Sequence, residues 1–389
     1  MTDAQKATEQ FLQGLVASGQ ETAIQVAAYL RGEQVVSAWA GWADATTGRA
    51  VDERTLFNCW SAGKGSTSTV VHVLTEDGLI DYDAPVAQYW PGFGAHGKHA
   101  ITIEHMLTHS AGIPQAPAGL SVRDLGDWAG MCARIAELTP LWPPGAATGY
   151  HAVTYGYVLG EVVRRVTGRP ISAVLRERVT GPLGIADDLH FGVPNSDLDR
   201  VARLEDGNWS SALARRPDDS LFFAAAPRAV QAGAELGNRA DYLTVDVPSA
   251  GTMSARALAR MYAALVSEVD GRRLICAQRT ATIASVRTCA TDRVLGVPVA
   301  KGLGYFMRLP EMAESGTAFG CKGSGGSIGF ADPATGFSFA FTHSRLTVPP
   351  ADVAADVADH VRAALGLSAG QPPTADPRRQ RRASWPAAT

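Results

Sequence analysis

Strand-like segments lie near the two ends of this chain, on either side of a long middle section with helical periodicity. At one end, residues 23–31 and 34–39 are separated by a tight glycine turn, and at the other, residues 326–331 and 336–343 flank a second turn sequence. The middle section, residues 62–265, carries helical periodicity and turn signals. This order predicts an α+β chain with one antiparallel sheet built from both chain ends and flanked by helices.

The same pattern predicts how the chain divides into domains. Residues 1–75 and 266–368 are expected to form the sheet domain, and residues 76–265 a mostly helical inserted domain. Within the insertion, residues 205–250 are expected to form an irregular loop system over a pocket, and residues 369–389, with several prolines and arginines, a disordered tail. Helices are predicted at residues 4–17, 154–167 and 351–365.

Composition argues against several classes of protein. The formal net charge of −3 offers no attraction for nucleic acid or an anionic membrane surface. The sequence holds no run of about 18 apolar residues that could span a bilayer. Five cysteines are scattered singly without CxxC spacing, and the polar start does not resemble a signal peptide, so a reduced, cytoplasmic location is expected. The oligomeric state stays open.

Ser61 and Lys64 form an S-x-x-K pattern at the start of a predicted helix that stops near Gly78. Three residues apart on a helix, the two side chains face the same way, with β-carbons about 5–6 Å apart. A serine hydroxyl needs an adjacent base to become a nucleophile, and a lysine is such a base only where its pKa is lowered. The pattern is compatible with a catalytic pair and also with a serine N-cap beside a solvated lysine.

Three further motifs accompany this pattern. They are HSAGIP at residues 109–114, the tyrosine-rich stretch at residues 150–160 and GSGGS at residues 323–327. In this order and spacing the four motifs resemble those of the β-lactamase-related serine hydrolases, most closely the family VIII carboxylesterases, which look like class C β-lactamases. The resemblance covers about residues 20–366 and implies a β-lactamase/penicillin-binding-protein-like fold. It also implies a reaction that needs no metal or cofactor.

The resemblance also implies roles for individual residues. Ser61 would be acylated, Lys64 would accept or relay its proton, and Tyr150 would share the proton traffic as a phenolate or as a neutral hydroxyl. The backbone N–H groups of Ser61 and Ser324 would form the oxyanion hole. Losing one such donor typically costs about 3 kcal/mol of transition-state stabilisation.

Two motifs depart from the family pattern. Ala152 stands where an asparagine is expected, which makes hydrolysis of a β-lactam less favoured. The third motif, normally Lys-Thr-Gly or His-x-Gly, is Cys321-Lys322-Gly323, so a cysteine takes the Lys or His position and the lysine is expected on the other face of its strand. The predicted substrate-binding residues are Cys321, Lys322, Gly323, Trp142 and His151.

Two other signals are interpreted as structural. Ser327 fits G-x-S-x-G, but a strand rather than a helix follows it, and His105 and His109 have zinc-like spacing without an obvious third ligand.

The predicted function is hydrolysis of a small carboxylic ester through an acyl-Ser61 intermediate. An acyltransferase that uses the same intermediate is the alternative, a β-lactamase or D-peptidase ranks third, and a binding module without catalysis is the competing class.

Overall fold

The computed structural model describes residues 2–313 and 315–367, so the predicted tail at 369–389 lies outside the described residues. A seven-stranded sheet dominates this part of the chain, with the strand order β3-β2-β1-β11-β10-β9-β8. The strands are β1 (Ala23–Leu30), β2 (Glu33–Asp44), β3 (Arg49–Ala50), β4 (Phe57–Asn58), β5 (Leu189–His190), β6 (Glu205–Asp206), β7 (Thr252–Met253), β8 (Phe306–Met307), β9 (Phe319–Lys322), β10 (Ile328–Asp332), β11 (Phe337–His343) and β12 (Arg345–Leu346).

The two chain ends meet in the centre of the sheet. β1 pairs antiparallel with β2 on one side and with β11 on the other, where Val26 lies opposite Phe341. The antiparallel α+β fold from both chain ends is therefore confirmed, as are the two hairpins. All seven strands of the main sheet fall within residues 1–75 and 266–368, while the domain boundaries themselves stay a prediction.

Helices cover both faces of the sheet and form most of the inserted region. The α-helices are α1 (Asp3–Ala17), α2 (Lys64–Glu76), α3 (Val86–Tyr89), α4 (Ile103–Leu107), α5 (Trp128–Ala136), α6 (Thr154–Thr167), α7 (Ile171–Leu175), α8 (Trp209–Ala214), α9 (Leu221–Ala225), α10 (Ala234–Gly237), α11 (Ala240–Leu243), α12 (Ala255–Val266), α13 (Ala277–Ile283) and α14 (Ala354–Ala364). In the described ranges, no helix is both long and apolar enough to cross a bilayer.

Two apolar layers hold the helices to the sheet. On one face, side chains of α1 and α14 pack on strand residues such as Phe339 and Phe341. On the other face, α12 packs against Ala27 and Tyr29 of β1 and continues into the larger core shared with α2 and α6. Each fully buried large apolar side chain contributes about 1.5–3 kcal/mol, so this burial fixes the sheet edge relative to α2.

One predicted region differs from the structure. Residues 205–250 are not a continuous irregular loop, because they contain β6 and the short helices α8 to α11. Each of these helices has four to six residues, too short to be stable alone, so packing against the core defines them. Their apolar side chains, among them Phe222, Phe223 and Tyr242, are buried.

Candidate active site

Ser61 lies in a tight 3₁₀ turn, Trp60–Gly63, that joins β4 to α2, so the α-helix begins at Lys64 rather than at Ser61. Trp60 has a φ of 48°, which is strained for a bulky side chain. Its N–H donates to the side chain of Asn58 at 3.1 Å, which holds this conformation. The turn leaves the Ser61 side chain half-buried in the wall of a pocket. The backbone N–H of Ser61 belongs to the first turn of a helical segment, where N–H groups have no acceptor within the helix.

Lys64 is buried and its Nζ contacts three oxygen atoms. They are Ser61 Oγ at 3.2 Å, the carbonyl of Ala152 at 2.8 Å and the carbonyl of Ser249 at 2.8 Å. Burial lowers the pKa of Lys64 to about 7, although the nearby Cys321 opposes the shift. A neutral amine has two N–H groups for the two carbonyls, which can only accept, so its lone pair would face the Ser61 hydroxyl.

Tyr150 completes the group around Ser61. Its ring centre lies 5.0 Å from Lys64 Nζ, and Tyr150 lines the same pocket as Ser61. Burial raises the pKa of Tyr150 above its usual value, opposed by its hydrogen bond to Ser61. The phenol therefore stays protonated near neutral pH. Of the two predicted forms, this environment favours the neutral hydroxyl that relays a proton.

A buried ion pair that the sequence analysis missed anchors the Tyr150 loop. Asp292 accepts hydrogen bonds from the N–H groups of Tyr150 at 3.0 Å, Val294 at 2.9 Å and Leu295 at 2.8 Å. Its other oxygen accepts from Lys301 Nζ at 2.6 Å, and both side chains are at most 1% exposed. No sequence motif joins these two residues, so only the folded chain reveals them.

Replacing Asp292 with asparagine is expected to destabilise the protein by about 3–5 kcal/mol, because Lys301 would keep a buried charge without a counter-charge. Lys301→Met is expected to cost less, because three backbone N–H groups still serve Asp292. Chemical denaturation measures both, and the double variant should be more stable than the sum of the single losses implies. Additive losses in this cycle would contradict the pairing.

His151 does not line the pocket, and its predicted contact with substrate stays a prediction. Its Nδ1 donates to the carbonyl of Gly149 at 2.6 Å, and its Nε2 accepts from the N–H of Ile113 at 3.2 Å. Burial lowers the pKa of His151 to about 4, so the ring is neutral. Its own N–H donates to His109 Nδ1 at 3.1 Å. These bonds use both ring nitrogens to hold the loop before Tyr150.

His109, which the sequence analysis interpreted as structural, packs beside Tyr150. Its ring stacks on Tyr155, with 4.9 Å between ring centres, and its centre lies 4.9 Å from that of Tyr150. Burial holds the pKa of His109 well below its usual value. The ring is therefore a neutral packing surface beside Tyr150. The HSAGIP motif at 109–114 was the signal that could have located it.

The third motif closes the site from the edge of the sheet. A Cβ on Gly323 would lie 2.0 Å from the carbonyl oxygen of Cys59, so only glycine lets the end of β9 approach the Ser61 turn this closely. Gly323 donates its N–H to the Ser327 carbonyl at 2.7 Å, which shapes the following turn. Ser324, the next residue, lines the same pocket as Ser61.

Cys321 and Lys322 point to opposite faces of β9, as alternation predicts. Cys321 does not contact the pocket, because its thiol packs near Gly65 and the Gly304 carbonyl. Burial raises the pKa of Cys321 to about 12, so it is a neutral thiol near Lys64, and its contact with substrate stays a prediction.

Lys322 does border the pocket, but its ammonium is already paired. Nζ donates to Asp352 at 2.5 Å and to Glu311. Lys322 also lines a second cavity, to which both carboxylates belong. Burial alone would lower the pKa of Lys322, but the two carboxylates outweigh it and raise it. The side chain is therefore a charged structural link.

Trp142 supports the Tyr150 loop from outside the pocket. Its ring packs so closely on Gly149 that a Cβ there would lie 2.7 Å away, and its carbonyl closely approaches Gly112. Its other neighbour is the guanidinium of Arg293, 5.2 Å from the ring centre. Trp142 therefore does not line the Ser61 pocket, and its contact with substrate stays a prediction.

The pocket beside Ser61 is narrow and mostly apolar, with a volume of about 80 Å³. Its wall combines the polar groups around Ser61 with side chains from the short helices of the insertion. The apolar part of the wall includes Trp60, Leu125, Phe222, Val230, Tyr242 and Val247. Phe223, the neighbour of Phe222 in α9, does not line it.

Comparisons with known proteins agree with this fold and motif set. The family model described as Beta-lactamase matches residues 8–364. The chain is 38% identical over 343 residues to the "Esterase/beta-lactamase LipL" of Mycobacterium tuberculosis, which covers 83% of this chain and 77% of that protein.

Solved structures agree as well. A family VIII carboxylesterase superposes with a TM-score of 0.84 at 32% identity, covering 92% of this chain and 97% of that one. EstA from Arthrobacter nitroguajacolicus Rue61a superposes with a TM-score of 0.83 at 29% identity, covering 94% and 98%. The chain belongs to the Beta-lactamase family, and it shares the fold of the family VIII carboxylesterases.

Proposed function

We propose that this protein is a serine esterase that hydrolyses small carboxylic esters through an acyl intermediate on Ser61. The observation that carries the proposal is the placement of Lys64. Its Nζ lies 3.2 Å from Ser61 Oγ, is held by two carbonyl oxygens and has a pKa of about 7. A base with a pKa near the working pH is the most effective proton acceptor.

The acylation step follows from these positions. Neutral Lys64 takes the hydroxyl proton while Ser61 Oγ forms a bond to the ester carbonyl carbon. The carbonyl oxygen becomes an oxyanion, and the N–H groups of Ser61 and Ser324 stabilise it. The C–O bond to the alcohol then breaks, and the departing oxygen receives a proton from Tyr150, which recovers one from Lys64.

Deacylation repeats the sequence with water as the nucleophile. Water loses a proton to the Lys64 and Tyr150 pair, attacks the acyl carbon and releases the acid, and Ser61 regains its proton. No cofactor or metal takes part in any of these steps. The substrate is a small molecule, and we propose no nucleic-acid or membrane partner.

Two features favour an ester over a β-lactam as the substrate. Ala152 provides no side-chain amide at the position where the family pattern has asparagine. Lys322, the cation at the pocket wall, is occupied by Asp352 and Glu311 and offers little charge to a β-lactam carboxylate.

All five cysteines are free, which supports the further proposal of a reducing, cytoplasmic location.

Mass spectrometry of the intact protein with a short-chain nitrophenyl ester tests the function, with and without an added amine. We expect a transient acyl adduct on the peptide that carries Ser61, which decays in water at a rate that the amine does not change. An adduct that is stable in water and is cleared only by the amine would instead indicate the acyltransferase. A protein that reacts with neither the ester nor a fluorophosphonate would contradict both functions.

A further inference from the structure

A second cavity of about 520 Å³ lies beside the Ser61 pocket. Its walls come from the segment around 295–300, from β8 and the turn after it, and from the start of α14. Most of these side chains are apolar, and the volume falls in the range of about 300–1,000 Å³ typical of sites for small molecules. Leu295, Val297, Val299, Met307, Leu309 and Pro349 belong to this lining.

The second cavity shares part of its boundary with the first. Phe306 and Lys322 line both, and the neighbouring residues Val294 and Leu295 line the first and the second cavity respectively. A substrate that reaches from Ser61 past the side chain of Phe306 would enter the larger space. The first cavity has a volume of about 80 Å³ and the second about 520 Å³. If the acyl and alcohol parts of one ester occupy different cavities, the part in the first must be much smaller than the part that the second can hold.

Tyr150 shows which half belongs in which cavity. The alcohol oxygen must lie near the Tyr150 hydroxyl to receive its proton, and Phe306, which lines both cavities, has its ring centre 5.8 Å from that of Tyr150. The acyl chain must leave the same carbonyl carbon in another direction, towards Trp60 and Tyr242 in the narrow pocket.

Resting on the proposed esterase function, we propose that the larger cavity binds the alcohol part of the substrate, so that the enzyme selects esters of a compact acid with a bulky, uncharged, apolar alcohol. The charged groups in the wall support an uncharged alcohol. Lys322 is paired with Asp352 and Glu311, and Arg308 has its side chain exposed to solvent. The apolar side chains gain free energy by excluding water from such an alcohol, at about 25 cal/mol per Å².

Filling the larger cavity tests the assignment. Ala300 and Ala355 are half-buried, line this cavity and belong to different elements, so Ala300→Phe and Ala355→Phe each reduce its volume by a separate route. Ala363→Phe, on the exposed side of α14, is the matched control. kcat/KM is measured for acetate and butyrate esters of methanol, of cyclohexylmethanol and of naphthylmethanol, with thermal unfolding of every variant.

We expect each filling variant to lower kcat/KM for the naphthylmethyl esters by about tenfold or more while methyl esters change little, and the control to match the wild type. Phe222→Ala, which widens the narrow pocket, should favour longer acyl chains without changing the preference among alcohols. An equal loss for methyl and naphthylmethyl esters, or a loss that follows acyl length instead, would overturn the assignment alone. A wild-type enzyme that hydrolyses none of these esters would overturn the esterase function, and this assignment with it.

Discussion

Replacing Ser61 with alanine is expected to lower kcat by about 10⁴–10⁶-fold, the loss seen when a serine hydrolase loses its nucleophile. Lys64 would keep its hydrogen bonds to the carbonyls of Ala152 and Ser249, and the change removes a single half-buried hydroxyl. The melting temperature should therefore change little. Steady-state hydrolysis of a short-chain ester and calorimetry measure the two effects.

Ser324→Ala is the matched control for this prediction. Ser324 is proposed to act through its backbone N–H, which alanine retains, so this variant should hydrolyse the ester at nearly the wild-type rate. If Ser61→Ala retained the wild-type kcat, the assigned nucleophile would be wrong. A large loss in Ser324→Ala would show that its hydroxyl, rather than its N–H alone, acts in the reaction.

The main sheet could be predicted because its signals are local. Each hairpin carries its own turn residues, and the flanking segments are rich in apolar residues, so hairpins at residues 23–39 and 326–343 were predicted without knowledge of their partners. The short helices in residues 205–250 could not be predicted in the same way. Helices of four to six residues depend on tertiary contacts that no local pattern reveals.

The candidate site also combines residues that local spacing predicts with residues that only tertiary folding brings together. Ser61 and Lys64 are three residues apart, so helix-like geometry already predicts their approach, although Ser61 lies in the 3₁₀ turn that precedes α2. Asp292 and Lys301 meet Tyr150 only because distant segments fold together, and nothing in their spacing suggests an ion pair. For β9, alternation predicted that Cys321 and Lys322 face opposite sides.

Alternation does not reveal what lies on each side of a strand. Tertiary packing places Gly65 and Tyr262 beside Cys321, and two carboxylates beside Lys322. The sequence could not show that Cys321, His151 and Trp142 lie outside the lining of the Ser61 pocket, since each position depends on neighbours remote in sequence.

Lys64 is expected to control the pH dependence of the reaction. With a pKa of about 7, its neutral fraction falls about tenfold for each pH unit below that value, whereas the raised pKa of Tyr150 keeps the phenol protonated throughout. The logarithm of kcat/KM should therefore rise with a slope near one at acidic pH and level off above about pH 7. Lys64→Met should lose about 10³-fold or more in kcat, because no base remains beside Ser61.

The same substitution is expected to raise stability. The pKa of Lys64 falls from 10.5 to about 7 on folding, so the unfolded chain binds an extra proton between these values. The cost of burying the charge is therefore fully present below about pH 7 and fades as pH rises towards 10.5. Lys64→Met removes that cost, so its melting temperature should exceed that of the wild type most clearly at pH 6 and less at pH 9. A Lys64→Met protein that is less stable than the wild type at pH 6 would contradict the claim that burying the Lys64 charge destabilises the fold. It would indicate instead that the hydrogen bonds from the ammonium to its two carbonyl partners stabilise the fold.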